Sequence, residues 1–269
     1  MSNSTTKRSN LSQTKVVDEI AKLPWWILFI VFLGVLIVFM INTDTKYNNA
    51  FKFIINGIGL TIQITFFAYL MAITLGFLTA LGQLSKNILL RNLTTLYVQL
   101  IRGVPMLVQV FYVGFVVIPA IINLLTRFGL PKIEIEPVWR ATFALALGYG
   151  AFSSEIFRAG IQSIERGQIE AAQSLGLRPF QTLRFIILPQ AIRRVLPPLG
   201  NDFISMLKES SLASAVGANE ITNLGKQYVA TSFNYPETYN TLAFMYLSMT
   251  LLLSMAVRWI EGKMKIEGR

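Results

Sequence analysis

Residues Pro24 to Ile41 form a run of 18 positions without a charged side chain. A run of that length and apolarity suits a helix crossing the hydrocarbon core of a bilayer. Five further apolar stretches follow, at Phe53–Gly82, Leu93–Leu125, Ala141–Ile161, Ile186–Leu207 and Tyr239–Ile260. Only 14% of the 269 residues are charged and the mean hydropathy is +0.53. A soluble domain usually carries about a quarter charged residues. The sequence therefore predicts an all-α integral membrane protein of about six transmembrane helices.

The flanks and breaks of these stretches define the organisation. Residues 1–23 are polar, with Lys7, Arg8, Lys15 and Lys22, and are expected to form a tail whose Val16–Leu23 end suits a short surface helix. Trp25 and Trp26 suit the interface at the start of the first span. A cleaved signal peptide competes for this span, but its core would be shorter and no small-residue cleavage site follows. Asn123–Arg140, with Pro131, Glu134, Glu136 and Pro137, is expected as an external loop. Pro189, Pro197 and Pro198 are expected to break the fifth span. Lys208–Glu237 reads as a re-entrant or surface helix with a loop. A short tail, 261–269, ends in Ile266-Glu267-Gly268-Arg269, which matches a protease-recognition tetrapeptide and is assigned no function.

Lys and Arg fix the expected orientation. The N-terminal tail, the 83–92 loop, the stretch Arg158–Arg194 and the C-terminal end from Arg258 carry 16 of them, whereas the alternate loops carry 7. That imbalance places both termini and the 158–194 stretch in the cytoplasm. It also accounts for the net charge of +10 without a nucleic-acid partner.

The chain has no cysteine and no histidine. Thiolate chemistry, cysteine metal sites, the usual general base and the usual zinc ligand are thereby excluded. Gly217, Gly225 and Lys226 do not make a phosphate-binding loop, and Gln227 stands where Ser or Thr would be needed. The chain is therefore not expected to hydrolyse ATP, to be an enzyme, or to hold a cofactor or metal. Glu134 and Glu136 lie on the apparent external loop, where a solvated role suffices.

One stretch is charged and patterned. Arg166–Asn201 reads RGQIEAAQSLGLRPFQTLRFIILPQAIRRVLPPLGN. Gln168–Leu175 suits a short helix closed by Gly176, and Pro179 suits the first position of a second helix. Phe180, Leu183, Ile186 and Ile187 recur at helical spacing on it, and Pro189 is expected to kink or end that run. Ile169, Ala172 and Leu175 would form an apolar ridge able to enter a partner's groove.

Here the sequence resembles a known family. Glu170-Ala171-Ala172, Gly176 and Ile187-Leu188-Pro189 resemble the EAA loop of permease subunits of bacterial ABC importers. Arg102-Gly103-Val104-Pro105, the run Gly148 to Gly160 and Leu196–Asn201 resemble the polar amino acid branch. The resemblance covers residues 50 to 260, which leaves 24–41 as an extra N-terminal helix. It implies a type I importer permease-like bundle with a coupling loop at 164–190, in the bacterial inner membrane. It implies a second permease subunit, identical or a sister chain, two ATP-binding subunits that hold ATP and Mg, and an external solute-binding protein. Glu170, Ala171, Ala172, Gly176, Leu177 and Pro189 are the implied ATPase-coupling residues.

Ionisable and polar groups near membrane depth are the candidate substrate path, because such groups usually face a bundle interior or a wet cavity. They are Arg102, Glu155, Asn201, Asp202, Glu209 and Ser210. Each has a plainer reading. Glu155 could pair with Arg158 one turn away, and Arg102 could snorkel to the interface. Asn201 and Asp202 could satisfy carbonyls freed by Pro197 and Pro198. Lys208, Glu209, Ser210 and Ser211 could gate the outer mouth or cap the next helix. Aromatic residues such as Phe66, Tyr69 and Phe111 are expected to pack. An ion-coupled secondary transporter is the main competing function, although matched halves are not evident. Opines or other small solutes are alternative substrates.

Overall fold

The computed structural model describes residues 25–264; the tail at 1–23 and the 266–269 tetrapeptide lie outside them. The described chain is helical and divides into two units, up to Asn48 and from Asn49 onward. In the first, α1 spans Trp25–Thr43. The Asp44 carboxylate then accepts from the Lys46 N–H at 2.7 Å, capping α2 (Thr45–Ile54).

The second unit continues through a 3-10 turn, Ile55–Gly57, into α3 (Ile58–Gln83). Helices α4 (Ile88–Arg102) and α5 (Met106–Tyr112) follow, then a π-helical turn (Val113–Val117) and α6 (Ile118–Arg127). The long α7 covers Pro137–Gln162, and the short α8 covers Arg166–Ser174. Next come α9 (Pro179–Thr182), a second π turn (Leu183–Ile187) and α10 (Leu188–Glu209). A 3-10 segment (Ser210–Val216), α11 (Ile221–Ser232) and α12 (Tyr235–Met264) complete the described chain.

Among the described residues, four helical stretches are long and apolar enough to cross a membrane: Trp25–Thr43, Thr45–Gln83, Met106–Arg127 and Tyr235–Lys263. Helices α7 and α10 have 26 and 22 residues, the length of a span, but less apolar sequences. The reason is burial. Helix α7 packs against α3, α4, α5 and α10, so much of its surface meets protein. Ser153 and Ser154 on it are fully buried, and the Ser154 hydroxyl donates to the Ala151 carbonyl at 2.7 Å.

The α3–α7 contact is the most extensive in the bundle. A Cβ at Gly76 would lie 2.8 Å from the Ser153 Cβ and 3.0 Å from the Gly150 carbonyl oxygen. Small residues at such crossings let backbones approach where no water-driven force pushes helices together. Ile64, Ala68, Ala72, Leu145, Tyr149, Val110 and Met206 continue this core. A second core joins Ala50, Ile54, Ile221 and Met245. Beside it Glu220, fully buried, caps α11 by accepting from the N–H groups of Thr222 and Asn223, both at 2.8 Å. The Tyr246 hydroxyl also donates to Glu220, tying α11 to α12.

One expectation is refined and one is corrected. The stretch Leu93–Leu125, which holds the third span, is not one helix. It breaks at Gly103–Pro105, and the membrane-length apolar stretch starts at Met106. Pro105 supplies no N–H, and the buried Gln109 amide donates to the carbonyls of Ile101 (2.8 Å) and Val104 (2.7 Å). The fifth span is not broken by its prolines. Pro197 and Pro198 lie inside a continuous α10, and Pro189 stands near its start rather than ending a run. A π turn immediately before Pro189 absorbs the missing backbone bond. The Lys208–Glu237 region is a 3-10 segment, a left-handed Gly217 and α11, matching the expected helix with a loop.

Gly76→Ala is expected to lower stability in detergent by about 1–3 kcal/mol, because the new methyl meets α7 backbone. Gly59→Ala on the same helix meets nothing within 4 Å and is expected to be neutral or slightly stabilising. Thermal unfolding of the two variants beside the parent chain checks this.

Candidate functional site

The patterned stretch folds as a turn, two short helices and the start of α10. Gly176 adopts φ +79°, a left-handed conformation that L side chains rarely take. The Leu177 N–H donates to the Ala172 carbonyl at 3.1 Å, closing α8 in the manner of a Schellman motif. The Gln181 side chain accepts from the Arg178 N–H at 2.9 Å and fixes the entry to α9, where Pro179 is the first residue.

The residues that the resemblance implies for ATPase coupling do not all face the same way. Glu170, Ala171, Gly176 and Pro189 are exposed, and Leu177 is half-buried. Ala172 is buried against the chain's own helices, 3% exposed, whereas Leu175 is 83% exposed. The expected ridge of Ile169, Ala172 and Leu175 is therefore not one exposed face. The large apolar groups offered outward are Leu175, Phe180 and Phe185. Phe180 is two residues, about half a helical turn, from the inward side of α9, where Thr182 is buried.

This segment is tied to the bundle at two points. The Gln190 amide on α10 donates to the Gln168 side chain on α8 at 2.7 Å. The Arg194 guanidinium donates to the Ser163 carbonyl, in the turn after α7. A direct polar contact thus links α8 to α10.

The groups near membrane depth separate into two sets. The first gathers at the end of α7 next to α8. The Glu155 carboxylate accepts from both the Nε and an Nη of Arg158 and from the Gln83 amide at 3.2 Å. Arg102 faces it at 3.9 Å and lies over the Phe152 ring. Glu155 thereby joins the end of α3, the end of α4 and α7. Gln83 carried no signal beyond being a polar residue closing an apolar run.

The second set lies on α10. Asp202 and Glu209 are seven residues apart, two helical turns, and so share a face. Both are half-buried, and each has a buried carboxylate oxygen without a hydrogen-bond donor. A buried carboxylate without a donor is costly in its charged form and is relieved by a proton, by a water, or by a cation or donor brought to it. The Tyr149 hydroxyl lies at the Glu209 carboxylate. The Tyr69 hydroxyl donates to the Leu199 carbonyl at 2.7 Å, and its ring stacks on Phe203. Tyr69 thus does more than the packing expected of it. Asn201 is exposed beside Asp202. Ser210 is fully buried and donates to the Leu207 carbonyl at 2.7 Å, closing its own helix.

Glu155→Gln would leave Arg102 and Arg158 without their counter-charge. The unfolding transition is expected to fall by a few degrees, about 1–2 kcal/mol after allowing for partial exposure. Amino acid preference in an uptake assay is expected to be unchanged; an altered preference would place Glu155 on the substrate path instead.

The comparisons with known proteins agree on one family. The description "Binding-protein-dependent transport system inner membrane component" matches residues 72–266. The probable amino-acid permease protein YxeN of Bacillus subtilis is 37% identical over 221 residues, covering 80% of this chain and 93% of that protein. The glutamine transport system permease protein GlnP of Escherichia coli is 32% identical over 217 residues, 81% of this chain and 95% of its own. A crystal structure of an amino acid ABC transporter with histidines aligns at a TM-score of 0.69 and 35% identity, covering 81% of this chain and 96% of that one.

Proposed function

The chain belongs to the family of inner membrane components of binding-protein-dependent transport systems, and we propose that within it this protein imports polar amino acids. It acts as the permease subunit of an ATP-driven importer, and membership of this family sets the ion-coupled reading aside. The substrate class rests on relatives named as amino acid permeases over four fifths of this chain. The observation that carries the reading in this chain is the pair Asp202 and Glu209, with unpartnered carboxylate oxygens inside a bundle of membrane helices. A zwitterionic amino acid offers an ammonium group that would satisfy one of them.

The proposed complex has two permease subunits, two ATP-binding subunits that hold ATP and Mg, and an external solute-binding protein. Both termini and α8 face the cytoplasm, following the Lys and Arg distribution. ATPase closure presses on α8 through the exposed surface of Glu170, Ala171 and Leu175. The Gln168–Gln190 contact passes that movement to α10, which carries the two carboxylates. The chain itself supplies no ATP site.

The test is uptake in vesicles reconstituted with and without the neighbouring ATPase. ATP-dependent amino acid uptake is expected only with the ATPase present. Gly176→Leu is expected to abolish it and to stop the ATPase co-purifying, because the left-handed turn at φ +79° closes α8. Uptake without any ATPase would overturn the assignment.

A further inference from the structure

Helix α4 is polar along one edge of its exposed face. Asn92, Thr95, Gln99 and Arg102 are all exposed and follow the spacing i, i+3, i+7 and i+10, so they form one stripe. Leu93, Leu96 and Leu100, also exposed, flank it, and Val98 on the inward side is buried. The stripe lies at membrane depth. Tyr97, between its members, donates to the Leu147 carbonyl, which is ten residues into α7, about 15 Å from its start at Pro137. Arg102 lies against Phe152 and Glu155, which are ten and seven residues, about 15 and 10 Å, from the other end of that helix. Polar and charged groups exposed at such depth face a bundle interior or a water-filled cavity rather than lipid.

The donors of Arg102 are largely unfilled. Its guanidinium stands 3.9 Å from the Glu155 carboxylate, beyond hydrogen-bond reach, and 5.8 Å from the centre of the Phe152 ring. Among the described residues no acceptor bonds to it, although a guanidinium has several N–H donors. Glu155 is already occupied: both its oxygens accept from Arg158, and one also accepts from the Gln83 amide. Two guanidinium groups therefore share one carboxylate, and the cluster keeps an excess positive charge. On α7, Phe152 meets the Tyr149 ring at 6.1 Å between centres, and the Tyr149 hydroxyl lies at Glu209. The two rings thus form one surface with Glu209 at one end and the guanidinium of Arg102 at the other. Phe152 is 39% exposed, so a solute can reach that surface.

We propose that Arg102 binds the carboxylate of the transported amino acid on its way toward the end of α7 that leads to α8, and that Gln99, Thr95 and Asn92 are the wetted wall along which it leaves. This rests on reading the chain as an amino acid permease whose Asp202 and Glu209 receive the ammonium group. A guanidinium holds a carboxylate by two parallel hydrogen bonds, and contact with an aromatic ring strips one of its faces of water. The order of charge suits a zwitterion: negative groups on α10, neutral rings on α7, then a positive group on α4. An amine without a carboxylate would be attracted by α10 and repelled by Arg102 and Arg158. Glu155 keeps the Arg102 guanidinium in place without using up its donors.

The test places one thiol by Gln99→Cys, a turn from Arg102 in a chain that has no cysteine. The assembled permease and ATPase, without binding protein, are held in sealed vesicles, and an impermeant thiol reagent is applied from the cytoplasmic side. The probe is the amino acid that the parent transporter takes up best when each of the common labelled amino acids is offered. It is expected to slow modification several-fold, whereas the amine made by removing its carboxyl group is expected not to. Arg102→Gln in the same background is expected to abolish the protection, and Arg102→Lys to keep part of it. The unfolding temperature of Arg102→Gln is expected to be unchanged, because Glu155 keeps Arg158 and Gln83. An inert thiol at position 99 would show that the stripe is not in water and overturns the proposal. So does protection that is equal for the amino acid and the amine, or that survives Arg102→Gln. A parent transporter that takes up no amino acid overturns the permease reading itself, a separate failure with which this proposal also falls.

Discussion

Close contact between α3 and α7 through small side chains is the interaction on which the rest of the bundle depends. Neither helix is drawn to the other by water, so the contact stands on shape and on satisfied polar groups. Gly76 against Ser153 and Gly150 brings the two backbones together. Once α7 is enclosed, its residues are freed from the demand that lipid makes. Tyr97 can donate across to the Leu147 carbonyl at 2.6 Å, holding α4 on the bundle. The same enclosure makes room for Glu155, Tyr149 and two buried serines on one helix. Such a helix does not look like a lipid-facing span by hydropathy.

How far the fold and site were legible depended on whether local chemistry or tertiary partners decided. Gly176 and Pro179 were readable because a left-handed turn and a helix start are local demands that few residues meet. The apolar spans were readable by length. The break at Gly103–Pro105 was not, although a lone Gln109 in an apolar run was a signal: its amide exists to satisfy the carbonyls of Ile101 and Val104. Pro197 and Pro198 misled because proline removes a backbone donor without obliging the helix to stop. The carbonyls they free belong to Arg193 and Arg194, which are exposed. Ala172 misled for the opposite reason. Its small size serves packing beneath α8 instead of a partner outside it.

In the function proposed here, the segment at α8 and the carboxylates of α10 work as one mechanical unit. From Pro179 to Glu209 the backbone stays helical, through a π turn and three prolines. Force applied at α8 therefore reaches Asp202 and Glu209 along a stiff path, helped by Gln168 on Gln190 and by Arg194 on the Ser163 carbonyl. The path includes one irregularity, the π turn at Leu183–Ile187. Glu155 and its two arginines brace the neighbouring ends of α3, α4 and α7, so α10 can move against a fixed frame.

The central claim is that ATP drives α10 to expose its carboxylate face to alternate sides of the membrane. A single cysteine at Asn201, exposed beside Asp202 in a chain that has none, reports it directly. The rate of modification by an impermeant thiol reagent would be measured from each side of sealed vesicles carrying the assembled transporter, with and without ATP. The account predicts that ATP shifts the preferred side of modification. A rate that stays the same from both sides, in vesicles that still hydrolyse ATP, would contradict it.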